Sequence, residues 1–374
     1  MKLLLASLLT ACTLPFALGQ PGTTTRVSVS TAGVESNGFN WTPALSGDGR
    51  YVAFASSASN LVANDTNGSS DIFVRDRQTG QTIRVSVSSA GLQANGGCVF
   101  PSFSSNGRYV GFTSTASNLV TGDTNGREDA FVYDLLTGET LRVSIATGGA
   151  QANRDCGSLQ ISDDGRFTTF VSSATNLVAN DTNGEIDAFV HDSVTGETTR
   201  VSVASTGAQA VGGFASDPKI SADGRFVCFQ SSFPNLVLND TNGGWDVFVH
   251  DRQTGQTSRA SVSSMGAQAN GFCFEPGISG DGRYIVFSAS ASNLVVGDAN
   301  GTADVFVHDR LTGTTRLASL TSQGRQVNRE SRRPEISHDG RLVMFESSAD
   351  NYVAGDTNRG EDCFVTDQLT GDVR

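Results

Sequence analysis

Apolar and polar residues alternate with a period of two along most of this chain, in short runs separated by turn residues. Arg50-Tyr51-Val52-Ala53-Phe54-Ala55 is one run, Asp71-Ile72-Phe73-Val74-Arg75-Asp76 the next and Arg84-Val85-Ser86-Val87-Ser88 a third. β-Branched and aromatic residues dominate these runs, and no stretch carries a helical period. A shorter run precedes each group, as in Pro276-Gly277-Ile278-Ser279. The pattern therefore predicts units of four strands. An Asp-Gly hairpin turn joins the first two strands and a Thr-Gly turn the last two. Long loops follow the second and fourth strands.

The unit recurs. Asp-Gly-Arg turns begin at Asp48, Asp164, Asp223, Asp281 and Asp339, with Asn106-Gly107-Arg108 as the remaining copy, at intervals of 58, 58, 59, 58 and 58 residues. Four-stranded units copied six times suit radial packing, so an all-β, six-bladed β-propeller is expected. The last unit stops at Thr370-Gly371-Asp372-Val373-Arg374, where its fourth strand should begin, and Arg26-Val27-Ser28-Val29-Ser30 carries the missing pattern at the other end. An N-terminal strand that completes the last blade and closes the ring is expected, since closure removes an exposed sheet edge.

These residues resemble a known family. The pattern Pro-x-Ile-Ser-x-Asp-Gly-Arg-Tyr-Val-x-Phe-x-Ser, followed by Asp-x-Phe-Val-x-Asp-x-x-Thr-Gly and Arg-Val-Ser-Val, is similar to the TolB-like, WD-repeat-like six-bladed propellers of secreted bacterial type. The resemblance runs through essentially the whole repeat region and implies the fold. No partner or activity is carried over, because a fold does not fix a function. Two features depart from the family. The loop between second and third strands is longer than usual, and TolB's separate N-terminal domain has no counterpart in this sequence.

Composition refines the picture. The net charge is -12 and lysine occurs only at Lys2 and Lys219, so no basic stripe exists and nucleic acid is not an expected partner. Lys2, the apolar run from Leu3 to Leu9 with Leu14, Phe16 and Leu18, and the small residues of Ala17-Leu18-Gly19 read as a signal peptide over residues 1–19. A single propeller domain over residues 20–374, secreted or periplasmic and monomeric, is expected to remain. Leu9-Thr10-Ala11-Cys12 also resembles a lipoprotein box, which would anchor the chain at Cys12. No later segment has the roughly 18 apolar residues that a membrane span needs. Cys98, Cys156 and Cys273 share one repeat position, while Cys228 and Cys363 read as small core residues. A Cys98–Cys156 disulfide between neighbouring blades is not expected.

The two long loops of each unit lie on one face of the disc and the tight turns on the other, so function belongs on the long-loop face. The loops before each first strand differ most between units. They hold Phe39 and Trp41, Phe100, Arg154 and Asp155, Phe214, Phe272 and Phe274, then Arg329, Glu330, Arg332 and Arg333. Aromatics beside arginines and carboxylates suit a protein or glycan ligand; the same aromatics also suit packing between blades. On the innermost strand Gln160, Lys219 and Glu335 stand where other units have Ala44, Ser102 and Gly277. They read either as a unique polar set at the axis or as an ion pair lining a wet channel.

The loop Asp-x-Asn-Gly-x-x-Asp resembles a calcium loop, with closely spaced oxygen ligands around a glycine turn. Its copies are Asp65, Asn67, Asp71; Asp123, Asn125, Asp129; Asp181, Asn183, Asp187; Asp240, Asn242, Asp246; Asp298, Asn300, Asp304; and Asp356, Asn358, Asp362, the last with Arg359 in place of glycine. The usual first acidic ligand is absent from each, and the same residues can cap the loop by bonding backbone amides. His191, His250 and His308 precede Asp192, Asp251 and Asp309. Because the pair recurs on separate blades, it reads as structural, not as a catalytic dyad. No nucleophile elbow, phosphate loop or zinc spacing occurs. Two function classes stand: a binding or scaffold propeller, with calcium as a candidate stabiliser and no catalytic residue assigned, or an enzyme in the axial pocket such as a polysaccharide lyase or hydrolase.

Overall fold

A computed structural model describes residues 24–353, 356, 358 and 360–373; the leader, Cys12 and Arg359 lie outside these residues. All regular structure among the described residues is β-strand, arranged as six consecutive antiparallel sheets, five of four strands and a last one of three. These blades span residues 40–84, 98–142, 156–200, 215–259, 273–317 and 331–367. No helix among the described residues is long and apolar enough to cross a membrane.

Each blade is built around its second and third strands, which face both neighbouring blades. They are therefore apolar on both sides, unlike a half-exposed strand. In blade 4, Phe229 stacks on Phe248 with ring centroids 6.0 Å apart, and the same Phe pair recurs in every blade. The Asp-Gly-Arg turn supplies the tie on the lean face. In blade 3, Asp164 accepts from the Ser162 hydroxyl at 2.7 Å and from the Arg166 amide at 2.9 Å. The Arg166 guanidinium then reaches both oxygens of Asp192, at 2.9 and 2.7 Å, and fixes the next turn along the sheet. That bidentate pair holds the Asp192 carboxyl well below the usual carboxylate range. Gly165 is required because its φ is +80° and a Cβ there would strike the Tyr109 ring of the preceding blade at 2.0 Å.

Blades are joined by a repeated set of hydrogen bonds. The segment after each outer strand passes to the next blade and receives its strand amide: Thr140 N donates to Ser89 Oγ, Thr198 N to Thr147 Oγ1 and Thr257 N to Ser205 Oγ, each at 2.9 Å. Thr82 of blade 1 donates in the same way to Thr31 Oγ1 at 3.0 Å, so the N-terminal segment occupies the place of a tail from a sixth blade.

The remaining contacts of the set are present at five junctions and absent at the sixth. Val85, Val143, Val201, Ala260 and Ala318 each donate back to the third strand of their own blade, at 2.8–2.9 Å, whereas Val27 makes no such bond to Cys363. Met344 is 43% exposed, whereas Ala53 and Val286 at the equivalent position are wholly buried. Leu45, on the facing edge of blade 1, is 61% exposed. The N-terminal segment thus engages the first blade as a closing strand would, but among the described residues it does not pair with the last blade. Among the described residues, Val373 is the one residue paired at the outer edge of blade 6, with Thr366. This is also why Cys363, expected in the core, is exposed, while Cys228 is buried as expected. Cys98, Cys156 and Cys273 are buried free thiols with no disulfide between them, and burial pushes the Cys98 and Cys156 thiols up to about 12.

Candidate functional site

The first strand of every blade carries one bulge at the same place. Its register slips between Ser216 and Lys219 in blade 4 and between Phe274 and Gly277 in blade 5, and likewise in the others. The bulged residue is non-glycine with positive φ in all six: Thr42, Phe100, Ser158, Asp217, Glu275 and Arg333, at 44–56°. A following proline, as in Pro218, Pro276 and Pro334, has no amide to give to the ladder and so tolerates the break. Such conformations cost on the order of 1–3 kcal/mol each, and bulges of this kind re-aim side chains beside binding sites. Blades 1 to 3 present Thr42, Phe100 and Ser158 here; blades 4 to 6 present two acids and an arginine. The sixfold repeat is therefore chemically lopsided, with its charge over blades 4 to 6.

Glu275 lies at the centre of that sector. Its Oε2 accepts from the Arg333 amide at 2.7 Å and the Ser288 hydroxyl at 2.9 Å, while its own amide donates to Gln230 Oε1 at 2.6 Å. Blades 5 and 6 thus hold its carboxylate and blade 4 its backbone amide. It borders two adjoining clefts that share Arg332. One, of about 360 Å³, is lined by Gln230, Phe274, Ser288 and Ala303; the smaller is lined by Glu330, Arg333, Glu346 and Glu361. Beside them Phe214 meets Trp245 edge-on at 4.5 Å, Trp245 lies 6.2 Å from Phe274, and Phe274 lies 6.0 Å from Phe272. Trp245 and Phe274 meet across the junction of blades 4 and 5, while Phe214 and Phe272 remain 41% and 51% exposed, so the shelf keeps an open apolar surface.

The structure thus brings together Phe214, Phe272, Phe274, Arg332 and Arg333 among the residues singled out from sequence. Trp41, Phe100 and Arg154 belong to blades 1, 2 and 3, on other sectors; Trp41 packs against the core. Arg329 pairs with Asp350 at 3.6 Å. Lys219 lies 3.3 Å from Asp217 and 3.8 Å from Glu335, an ion pair that spans blade 5, where Gly277 leaves room. The ion-pair reading of Lys219 and Glu335 is the one this geometry matches, and Gln160 takes no part in it. Glu275, Gln230, Trp245 and Glu346 were missed. The signal was available: Gln230 and Glu346 stand where other blades carry Ala55, Thr113, Val171 and Ser288.

The repeated polar residues have structural partners. In blades 1 to 4 an arginine of the outer strand enters between the two loop aspartates; Arg200 lies 3.1 Å from Asp181 and 3.2 Å from Asp187. Arg84, Arg142 and Arg259 do the same. A guanidinium thus stands where a calcium ion would, and these four loops do not fit the ion. In blade 5 Leu317 takes the arginine's place, and Gln326 donates to Asp298 at 2.7 Å and Asp304 at 3.1 Å. No group of three metal-ligating side chains occurs among the described residues. His191, His250 and His308 are buried, each with Nδ1 2.9 Å from a threonine hydroxyl of the adjacent strand. Burial lowers their pKa, to about 4 for His250, so they are neutral at physiological pH. His338 stands in the Asp-Gly-Arg turn of blade 6. It reaches Asp163 of blade 3 at 2.7 Å, and a Cβ on Gly280 would strike its ring.

With the geometry in place, comparison with known proteins adds the fold. Neither a family model nor a curated protein matches this chain. Solved structures do. The β-propeller domain of the Trilobed protease from Pyrococcus furiosus is similar over 90% of this chain and 84% of its own, at 12% identity and TM-score 0.52. The chain folds as a six-bladed β-propeller. An oligogalacturonate lyase in complex with manganese is similar over 88% of this chain and 77% of its own, also at 12% identity and TM-score 0.52. TolB-like propellers are among the neighbours: TolB from Acinetobacter baumannii is 18% identical over 76% of this chain, at TM-score 0.41, and the chain spans 57% of its length. A protease domain and a lyase thus share this architecture.

Proposed function

We propose that this protein is an extracytoplasmic binding or scaffold propeller that takes a protein or glycan ligand on its long-loop face, over blades 4 to 6. The observation that carries this reading is the shelf of Phe214, Trp245, Phe272 and Phe274. Four aromatic rings in a chain of contacts, with Phe214 and Phe272 about half-exposed, form an apolar platform, and it adjoins a cleft whose polar groups are already oriented. Binding sites combine these two elements: apolar area supplies affinity, and a few fixed polar groups set orientation. Export through the leader of residues 1–19 belongs to the same proposal. The calcium proposal is kept for the loop of blade 5, where Asp298, Asn300 and Asp304 have no arginine between them, and for the loop of Asp356, Asn358 and Asp362 in blade 6. The test is a combined glycan and peptide array probed with the mature protein and with F272A/F274A. At least one ligand class should bind the native protein, and the double variant should lose about 2 kcal/mol or more of that binding, the order expected for aromatic anchors. Hits that the variant retains in full would remove the shelf as the site.

A further inference from the structure

We propose that the cleft beside Glu275 receives a basic side chain, arginine or lysine, of a peptide segment in a protein ligand, while the aromatic shelf carries the rest of that segment. The inference rests on the binding reading above and narrows its ligand to protein.

Charge complementarity carries it. The acids around the two clefts are Glu275, Glu330, Glu346 and Glu361, and the bases are Arg332 and Arg333. Both bases are already paired, Arg332 with Glu330 at 2.6 Å and Arg333 with Glu346 at 2.9 Å. Glu275 and Glu361 are left without a basic group in contact among the described residues, so the described lining of the clefts carries four acids against two bases. Further towards the axis Lys219 faces both Asp217 and Glu335, so the surplus there is again negative.

Glu275 is also prepared to receive a donor. Both hydrogen bonds to its carboxylate fall on Oε2, and among the described residues no donor reaches Oε1. A carboxylate has acceptor sites on both oxygens, so one remains for a ligand. The bulge that places this carboxylate and the three blades that hold Glu275 reduce the reorganisation that binding would otherwise require. Phe274 borders the same cleft as Glu275, and aromatic faces attract guanidinium and ammonium groups as well as apolar chains. An extended peptide offers both, one cationic side chain with aliphatic neighbours. The larger cleft, about 360 Å³, is at the small end of ligand pockets and suits one long side chain, not a whole compact ligand. A metal ion is the weaker occupant, because no third metal-ligating side chain joins the two glutamates. The net charge of -12 favours approach of a cationic segment from a distance.

The test uses a library of capped hexapeptides in which one position carries arginine, lysine or citrulline, the neutral isostere of arginine, measured by fluorescence anisotropy against the mature protein. Arginine peptides should bind about tenfold more tightly than their citrulline counterparts, and this advantage should shrink as salt is raised. Glu275→Gln should abolish the arginine advantage while leaving citrulline peptides unchanged. Glu361→Gln, at an exposed position where folding is not at risk, should reduce it. Equal affinity of arginine and citrulline peptides would overturn the inference. If glycans bind in an F272A/F274A-sensitive way and peptides do not, the basic-peptide inference fails and the binding reading stands. If peptide and glycan binding both ignore F272A/F274A, the parent reading fails as well.

Discussion

Arg200→Leu is expected to cost about 3–5 kcal/mol of folding stability, the range seen when one partner of a buried ion pair is removed. Arg200 is nearly enclosed and stands between Asp181 and Asp187, and Asp187 is wholly buried. Leucine fills similar volume, so the loss is electrostatic: two carboxylates are left facing each other without a cation. Asp187 also accepts from the Ser202 hydroxyl at 2.6 Å and from Asn183 at 3.0 Å, which fixes it in place and denies it an escape to water. Burial already raises the Asp187 pKa above the ordinary value. Loss of Arg200 raises it further, so the folded state then binds a proton that the unfolded state releases above about pH 4. The defect should therefore be full at neutral pH and shrink as pH falls. Asp187→Asn in the Arg200→Leu background should recover part of the loss. Urea midpoints at pH 7 and pH 5 measure all three effects, and an Arg200→Leu midpoint equal to that of the native protein at both pH values would refute the ion-pair account.

Deletion of residues 24–32 should have a comparably large effect by a different route. The segment supplies acceptors that blade 1 needs: Val29 O takes the Thr82 hydroxyl at 2.6 Å, Ser30 O takes the Arg75 guanidinium at 3.1 Å, and Thr31 Oγ1 takes the Thr82 amide. Without it, the amide and the hydroxyl of Thr82 lose their acceptors, each at about 1–3 kcal/mol, and Arg75 keeps only Gly80 O and Thr82 Oγ1. The outer edge of blade 1 would then be exposed beside the unpaired edge of blade 6, which already shows Met344 and Cys363. Two such edges favour association between chains. Loss of a cooperative melting transition, with aggregation, is the expected outcome by calorimetry and light scattering. Unchanged melting of the deletion variant would show that the segment is dispensable.

The fold was legible because period and punctuation agree. The 58-residue interval of Asp-Gly-Arg, two-residue alternation and the Thr-Gly turns all specify the same blade, and internal comparison stands in for homologues. The sixth junction was not legible. The pattern of Arg26-Val27-Ser28-Val29 shows which strand is missing from blade 6, but pairing depends on the whole interface, and a repeat pattern does not report how two chain ends meet. The arginine that enters the calcium-like loop in four blades was not legible for a related reason. The loop motif is local, while the arginine that enters it comes from the outer strand, thirteen or nineteen residues further on, as Arg200 stands to Asp187 and Asp181. At the candidate site, Phe214, Phe272 and Phe274 were visible as departures from the repeat. Glu275 was hidden because the bulged position varies in every blade, so no background exists against which a glutamate stands out.

The central claim is that the sixfold repeat is put to use asymmetrically, with ligand landing on blades 4 to 6. Hydrogen–deuterium exchange of the mature protein, with and without its best array ligand, tests this most directly. Protection is predicted in the segments around residues 214–217, 272–276 and 330–335, with the matching segments of blades 1 and 2, around residues 39–42 and 98–100, unchanged. Protection spread evenly over all six blades, or centred on blades 1 and 2, would contradict it.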